Sequence, residues 1–365
     1  MQRRVTLILG LAILVATAVG YRTADAHPAL GTFSIVAFDS TTGELGVAVQ
    51  SRAFNVGGGV AWARAGVGAV ATQSFTNESF GPRGLALLAR GHAAGAVLDT
   101  LLAADAGREQ RQVGIVDARG GSASFTGKEC MAWAGGSANF GLAAQGNILA
   151  SDAVLSEMVR AFAETQGELS LRLLAALDAA QAAGGDRRGQ QSAALLVVRP
   201  SRTFPEYEER YVSLRVDDHP APIAELRRLF AIHEASDLAE AHLRYASELR
   251  EAGNAAAADR EMARVGETLQ RALADESTPA GSLNALAWYT ATNGVFLAEA
   301  LHAAQRAATL EPGSSEVLDT LAECEFRNGD VAAALNTIQR ALDRSPDDAY
   351  LLSQKKRFEE AWKSK

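Results

Sequence analysis

The chain has little cysteine and lacks the short motifs that mark most cofactor and metal sites. Its two cysteines, Cys130 and Cys324, are too few for a zinc ribbon or an iron–sulfur cluster and allow at most one disulfide. They lie in segments of different character, so we expect two independent buried thiols. No GxGxxG, P-loop, HExxH, CxxC or GxSxG pattern occurs. The histidines of terminal and helical segments, His242 among them, lack ligand-like spacing and are expected at the surface or at helix caps. The sequence therefore indicates no cofactor and no metal.

An excess of positive charge is also missing. Lys and Arg number 35 against 43 Asp and Glu, the formal net charge is −8, and no run of five basic residues occurs. This excludes a dedicated nucleic-acid-binding protein. Hydrophobic residues at 48% and charged residues at 21% are close to the globular average, which excludes wholesale disorder and a polytopic membrane protein. At 365 residues the chain has room for two or three domains.

The first 26 residues have the pattern of a secretory signal. Arg3 and Arg4 precede an uncharged, largely apolar run over residues 5–20, and Ala24 and Ala26 are the small residues that a signal peptidase reads. The run is shorter than the roughly 20 apolar residues of a spanning helix, so we favour a removed signal over an uncleaved anchor. We therefore expect an exported protein, periplasmic or secreted, with no stable membrane insertion.

Short, glycine-punctuated segments rich in Val, Ile and Ala follow, and they are typical of strands separated by helices. The predicted strands are 32–38, 45–51, 59–65, 68–75, 112–117, 122–126, 141–147, 192–198 and 210–216. The predicted helices are 82–88, a second one that ends near residue 104, 151–165 and 169–183. Strands that alternate with two helix pairs predict an α+β fold with two packed sheets and helices outside each sheet.

From about residue 220 the strand pattern ends and helical spacing continues to the C-terminus. An Asn-Gly pair recurs 35 positions apart, as Asn293-Gly294 and Asn328-Gly329. An Ala-Leu pair, a further alanine and a proline recur 34 positions apart, as Ala300-Leu301, Ala307 and Pro312 and again as Ala334-Leu335, Ala341 and Pro346. This period resembles the tetratricopeptide repeat over residues 282–362, and an ordinary helical bundle is the alternative. We expect residues 235–365 to form a helical domain that binds a protein partner or makes a homo-oligomer.

Several ordered blocks of the first region resemble a single bacterial family. They are TFSIVAFD, GELGVAVQSR, VAWARAGVGAVATQSFTN, GPRGLALL, REQRQVGIVD and GGDRRGQQSAALLVVR. Over about residues 32–229 the chain resembles domain-of-unknown-function family number ten twenty-eight, which is placed in the N-terminal nucleophile (Ntn) hydrolase superfamily. The resemblance implies a four-layer αββα sandwich for residues 27–234.

The resemblance also implies a catalytic group. In Ntn hydrolases the first residue of the mature chain is the nucleophile, and its own α-amino group, with an ordinary pKa of about 7.7–8.0, is the general base. Thr32 takes this position, and Gly31-Thr32 resembles the processing junction of proteasome β-type subunits. Ser51 resembles the serine of their Asp-Ser-Arg motif, and Arg64 falls near the position of their catalytic lysine. Signal removal alone leaves residues 27–31 ahead of Thr32, so a free threonine amine requires a second cut.

Polar residues at strand ends supply the remaining candidates, since sheet scaffolds place sites there. Asn147 is the candidate oxyanion donor, and Gln73, Asn77, Asp186 and Arg187 are candidates for substrate contact. Hydrogen-bonded strand ends without a role in catalysis are the alternative. The leading hypothesis is an exported Ntn-type amidohydrolase that acts on a small-molecule or peptide amide. The second hypothesis is a non-catalytic Ntn-fold binding or scaffold protein that acts through its helical repeats.

Overall fold

A computed structural model describes residues 31–201, 203 and 210–364. The predicted signal segment, residues 1–26, lies outside the described residues. Within the described part of the chain, no helix is both long enough and apolar enough to cross a membrane.

The described strands form two antiparallel sheets. They are β1 (Thr32–Phe38), β2 (Leu45–Ser51), β3 (Ala61–Arg64), β4 (Gly68–Ser74), β5 (Arg111–Asp117), β6 (Ser122–Thr126), β7 (Gly135–Asn139), β8 (Leu142–Asn147), β9 (Ser192–Val198) and β10 (Arg210–Val216). One sheet has the order β10-β9-β2-β1-β8-β7, and the other has the order β3-β4-β5-β6. Because β1 lies between β2 and β8, the register places Ser51 and Asn147 on either side of Thr32.

Helices cover the outer face of each sheet. They are α2 (Phe80–Ala89), α3 (Ala94–Ala103), α4 (Ala153–Glu164), α5 (Leu169–Ala182) and α6 (Pro222–His233), whereas the short helix α1 (Val56–Val60) contributes Val56 and Val60 to the core between the sheets. The apolar faces of α4 and α5 pack on the six-stranded sheet, and those of α2 and α3 pack on the four-stranded sheet. A third apolar cluster lies between the two sheets. The predicted α+β sandwich with helices outside two packed sheets is confirmed.

Side-chain alternation along β1 decides what lies between the sheets. Phe33 and Ile35 belong to the core under α4 and α5, whereas Val36 belongs to the core between the sheets. Successive strand residues point to opposite faces, so Thr32 and Ser34 face the second sheet together with Val36. The strand thus places two hydroxyl groups in the interior of the sandwich.

Two elements differ from the sequence prediction. Residues 59–65 were expected as one strand, but Gly59 and Val60 end helix α1, which the Asn55 side chain caps through the N–H of Gly58, and β3 starts at Ala61. Strand β7 was not predicted, because its sequence Gly-Gly-Ser-Ala-Asn is poor in β-branched and aromatic residues. Pairing with β8 forms β7 despite that composition.

The C-terminal region is all helical, as predicted. After a π-helical turn (Glu234–Leu238) come α7 (Ala239–Glu251), α8 (Ala255–Ala274), α9 (Ala280–Thr292), α10 (Leu297–Leu310), α11 (Ser315–Arg327), α12 (Val331–Leu342) and α13 (Ala349–Lys363). Gly294 and Gly329 have φ of 71° and 88°, the left-handed conformation that ends α9 and α11. The pairs α9–α10 and α11–α12 carry the repeat, with Ala300, Ala304 and Ala307 fully buried where helices cross.

Buried charges join the helical region to the sandwich. Arg199, which follows β9, contacts Glu44 at 3.3 Å and Glu261 of α8 at 2.7 Å. His242 of α7 lies between Glu168 and Glu261, with N–O distances of 2.8 and 2.7 Å. His242 is 3% exposed, so its expected place at the surface or at a helix cap is wrong. The sequence could not show this, because its partners are distant along the chain.

Candidate functional site

Thr32 is the first residue of β1, and its hydroxyl belongs to a short chain of hydrogen bonds. Thr32 Oγ1 donates to Ser51 Oγ at 3.0 Å, and Ser51 Oγ donates to the carbonyl oxygen of Gly31 at 2.5 Å. Thr32 is 2% exposed and Ser51 is fully buried. The hydroxyl of the predicted nucleophile is therefore linked, through one serine, to the peptide bond that precedes it.

The Gly31 carbonyl has a second donor, Arg188. Its Nη2 donates to the Gly31 oxygen at 2.9 Å. Asp186 is 2% exposed and holds the Arg188 guanidinium through both carboxylate oxygens, at 3.1 Å to Nε and 2.7 Å to Nη2. The same carboxylate accepts the backbone N–H of Arg52 at 3.0 Å, which ties it to the end of β2. A hydroxyl and a positioned guanidinium on one carbonyl oxygen are the donors that stabilise an oxyanion.

Buried amides form the floor of the site between the sheets. Gln73 Nε2 donates to the Thr32 carbonyl at 3.2 Å and to Gln112 Oε1 at 2.8 Å, and Ser34 Oγ donates to Gln73 Oε1 at 2.6 Å. Asn147 Nδ2 donates to the same Gln112 oxygen at 3.0 Å. Asn147 therefore lies beside Thr32, as its proposed role requires, but its amide is engaged with Gln112. The network is neutral and holds the start of β1 in place.

The other predicted residues lie in different places. Arg64 is exposed at the end of β3, where it pairs with Gly68 at the opposite end of β4 from Gln73. Its expected position near Thr32 is wrong, because β3 starts late, after α1, and runs away from the site. Asn77 accepts the N–H of Ser79 at 3.2 Å and orders the turn before α2.

Arg187 stays near the site edge. It is exposed, and its N–H donates to the carbonyl of Ile148 at 2.9 Å, next to Asn147. The structure therefore brings together Thr32, Ser51, Gln73, Asn147, Asp186 and Arg187, and leaves Arg64 and Asn77 outside this group. Substrate contact by these residues stays a prediction.

The sequence profile of a family of unknown function, DUF1028, matches residues 32–226, more than half of the chain. The chain belongs to the DUF1028 family. A tetratricopeptide-repeat profile matches residues 297–358, within the helical region. The DUF1028 domain thus covers the sandwich with its Thr32 site, and the repeats follow it.

A solved structure shares the DUF1028 domain. It is the crystal structure of protein SPO2555 from Silicibacter pomeroyi, a DUF1028 protein, with 35% sequence identity and a TM-score of 0.50. The match covers 55% of this chain and 88% of that chain. No curated protein matches the chain. Because DUF1028 is a family of unknown function, the chemistry has to follow from the residues around Thr32.

Sequence reasoning missed two important residues of this DUF1028 site. Arg188 is adjacent to Arg187 in a loop without periodicity, so the sequence could not show which arginine turns inward. Gln112 is at the start of a strand, and its burial beside Gln73 becomes visible only once β4 and β5 are paired. Among the residues that the structure describes, no cluster of three or more His, Cys, Asp or Glu side chains is arranged to hold a metal ion.

Proposed function

We propose that this DUF1028 chain is an exported Ntn-type amidohydrolase whose nucleophile, Thr32, is released by cleavage of the Gly31–Thr32 peptide bond. One observation carries the proposal. The Gly31 carbonyl oxygen accepts hydrogen bonds from Ser51 at 2.5 Å and Arg188 at 2.9 Å, while the Thr32 hydroxyl is bonded to the same serine at 3.0 Å. The attacking oxygen and the stabilised carbonyl belong to adjacent residues, which is the arrangement that self-cleavage needs.

The proposed cleavage uses only groups of the chain and one water molecule. Thr32 Oγ1 attacks the Gly31 carbonyl carbon, and negative charge that develops on the carbonyl oxygen is stabilised by Ser51 and Arg188. The carbon–nitrogen bond then breaks, and the hydroxyl proton passes to the departing nitrogen. This leaves an ester on Thr32 and a free α-amino group. Water hydrolyses the ester and releases a carboxylate at Gly31 and the threonine hydroxyl.

The released site has what amide hydrolysis requires. The freed amine of Thr32 can accept its hydroxyl proton near neutral pH. A substrate carbonyl in the former place of the Gly31 carbonyl would receive the same two donors, from Ser51 and Arg188. Attack gives an acyl-enzyme and releases the amine of a small-molecule or peptide substrate. Because Thr32 is 2% exposed with Gly31 attached, the uncut chain is inactive in this proposal.

The N-terminal residue of the mature protein tests the proposal. We expect intact-mass analysis and N-terminal sequencing to give a chain that starts at Thr32. A Thr32→Ala variant should stay uncut and hydrolyse no member of an amide library, whereas Thr309→Ala, which removes an exposed threonine hydroxyl from α10, should be cut and active. A wild-type chain that starts at residue 27 and equals Thr32→Ala in every assay would refute the proposal.

The second candidate is a non-catalytic binding or scaffold protein that acts through the repeats. The burial of Thr32 favours it, because no substrate reaches a residue that is 2% exposed. This candidate predicts no cleavage at Gly31, no turnover of any amide, and a partner that is lost when residues 282–362 are deleted.

A further inference from the structure

A cavity of about 370 Å³ lies on one side of the helical repeats, far along the chain from Thr32. It is lined by residues of α9, α11 and α13 and of the turn before α11. Asn284 on α9 and Asp319 on α11 are 35 positions apart, so they occupy equivalent places in successive repeats. The volume suits one side chain or a small ligand.

Two acceptor atoms of this cavity's lining residues have no donor. Asn284 and Asp319 are each 7% exposed, and the Oδ1 atom of each has no hydrogen-bond partner among the described residues. Buried polar atoms are almost always hydrogen-bonded, so a pair of unsatisfied acceptors in one cavity calls for a donor that the described chain does not supply.

The neighbouring carboxylate on α11, Glu323, has arginine partners, whereas Asp319 has none in the described part of the chain. Glu323, one turn further on, accepts from Arg327 at 2.7 Å and also from Arg357 of α13. Asp319 forms no ion pair with any described residue. The repeat thus pairs one of two adjacent buried acids with arginine and leaves the other without an ion pair, with only the Tyr350 hydroxyl as a hydrogen-bond donor nearby among the residues that the structure describes.

The lining of the cavity is acidic and aromatic. Besides Asp319 it contains Glu311 and Glu316, and it contains no lysine or arginine among the described residues. Three aromatic side chains complete it, namely Trp288, Tyr289 and Tyr350. Carboxylates attract a cation and its N–H donors, and aromatic faces attract the same cation through their quadrupole.

We propose that this cavity binds an organic cation, the ammonium group of a lysine or the guanidinium group of an arginine, with Asp319 and Asn284 as its acceptors. The charged group donates to both Oδ1 atoms and lies against Trp288 and Tyr350. The site is independent of Thr32 and of amide hydrolysis. A basic segment of a partner protein and a free amine offer the same chemistry, and the test below distinguishes them.

The site should bind more tightly as the pH rises from 6 to 8. Burial, with the nearby charges of Glu323 and Asp348, raises the pKa of Asp319 to about 7, against the opposing effects of the Tyr350 hydroxyl and Arg357. The α9 side of the cavity contributes Asn284, which does not titrate, and Tyr289, whose pKa burial raises above its ordinary value, so that it stays neutral over this pH range. A bound cation favours the ionised carboxylate, so binding releases a proton.

Isothermal titration calorimetry on the full chain tests the proposal. The probes are N-acetyl-lysine amide, N-acetyl-arginine amide, butane-1,4-diamine and uncharged N-acetyl-norleucine amide. We expect a basic probe to bind and norleucine amide not to bind. Asp319→Asn should weaken binding by about tenfold or more, because it removes the charge of a buried acceptor. Asp347→Asn, the same change at an exposed position outside the cavity, should leave binding unchanged.

Two further comparisons distinguish a partner protein from a free amine and control for misfolding of the variants. Tighter binding of the lysine or arginine amide than of the diamine supports a partner protein, and the reverse supports a free amine. Tyr350→Leu changes a side chain that is 48% exposed and should weaken binding about two- to fivefold without unfolding the helix. Binding that is equal for charged and uncharged probes, or unaffected by Asp319→Asn and Tyr350→Leu, overturns the proposal.

Discussion

Arg188 donates a 2.9 Å hydrogen bond to the carbonyl of Gly31, although the two residues are 157 positions apart. The contact requires two separate pieces of the fold. Pairing of β1 with β8 brings Gly31 to the end of the sheet, and an antiparallel bridge between Leu149 and Asp186 brings the arginine loop there. The salt bridge to Asp186 then fixes the guanidinium. The fold thus places the positive charge of Arg188 against the carbonyl oxygen of the peptide bond that the proposed chemistry breaks.

The first prediction concerns that charge. Arg188→Gln should slow cleavage of the Gly31–Thr32 bond by about 100-fold, the usual cost of losing one oxyanion donor. The measurement is the rate at which purified full-length chain converts to the shorter mass. Arg187→Gln is the matched control, because it alters the exposed neighbour, and it should be cleaved at the wild-type rate. Equal rates for both variants would remove Arg188 from the mechanism.

The second prediction concerns Gly31. A Cβ atom at this position would lie 2.7 Å from Asp186 Oδ1, closer than contact allows. Gly31→Ala should therefore displace the carboxylate or the carbonyl, slow cleavage, and lower the free energy of unfolding by roughly 1–3 kcal/mol. Gly95→Ala in α3 is the control, since nothing lies within 4 Å of its Cβ position, and we expect a gain of about 0.4–1 kcal/mol. Thermal denaturation of both variants, each made in the uncut Thr32→Ala background so that residue 31 stays in the chain, measures the difference.

Much of the sandwich was predictable because its strands have a clear pattern. Alternation and turn residues gave β1 and β2 with correct ends, and pairing of those strands is enough to bring Thr32 and Ser51 together. The position of Asn147 beside Thr32 can be predicted in the same way once β8 is known to pair with β1. Strand β7 has no such pattern, and it forms because β8 offers it an open edge.

The rest of the site depends on contacts that local pattern does not encode. Arg64 follows a helix that its glycine-rich sequence does not suggest, so its distance from the site could not be foreseen. Arg187 and Arg188 have the same side chain, and only the structure shows that Arg188 binds the buried carboxylate of Asp186. The family resemblance identified Thr32, but the donors to the Gly31 carbonyl become adjacent only in the folded structure.

The third prediction concerns Glu44 at the junction of the two regions. Burial raises the pKa of this carboxyl to about 7, although Arg199 lowers it. A raised acid pKa means that the folded state binds the proton more tightly, so stability falls as the pH rises from about 4.5 through 7. Glu44→Gln removes this titration. We subtract the melting temperature of wild type from that of Glu44→Gln and expect this difference to be larger at pH 8 than at pH 5. A difference that does not change with pH would contradict the prediction.

The last prediction concerns His242, which joins α7 to the sandwich. Glu168 and Glu261 raise its pKa to about 9 against the effect of burial. Because the folded pKa lies above the unfolded value of about 6.5, this stabilisation is fully present below pH 6.5 and is lost as the pH rises through 9. His242→Gln should cost about 1.5–3 kcal/mol at pH 6, since it removes a charged hydrogen-bond partner of Glu168 and Glu261 while Arg199 and Arg264 remain in contact with them, and less at pH 10. Chemical denaturation at the two pH values measures the loss. His302→Gln, on a helix of the repeats, is the control and should show the wild-type pH dependence. If His242→Gln lowers the free energy of unfolding by the same amount at pH 6 and at pH 10, the charge of His242 does not hold the helical region to the sandwich.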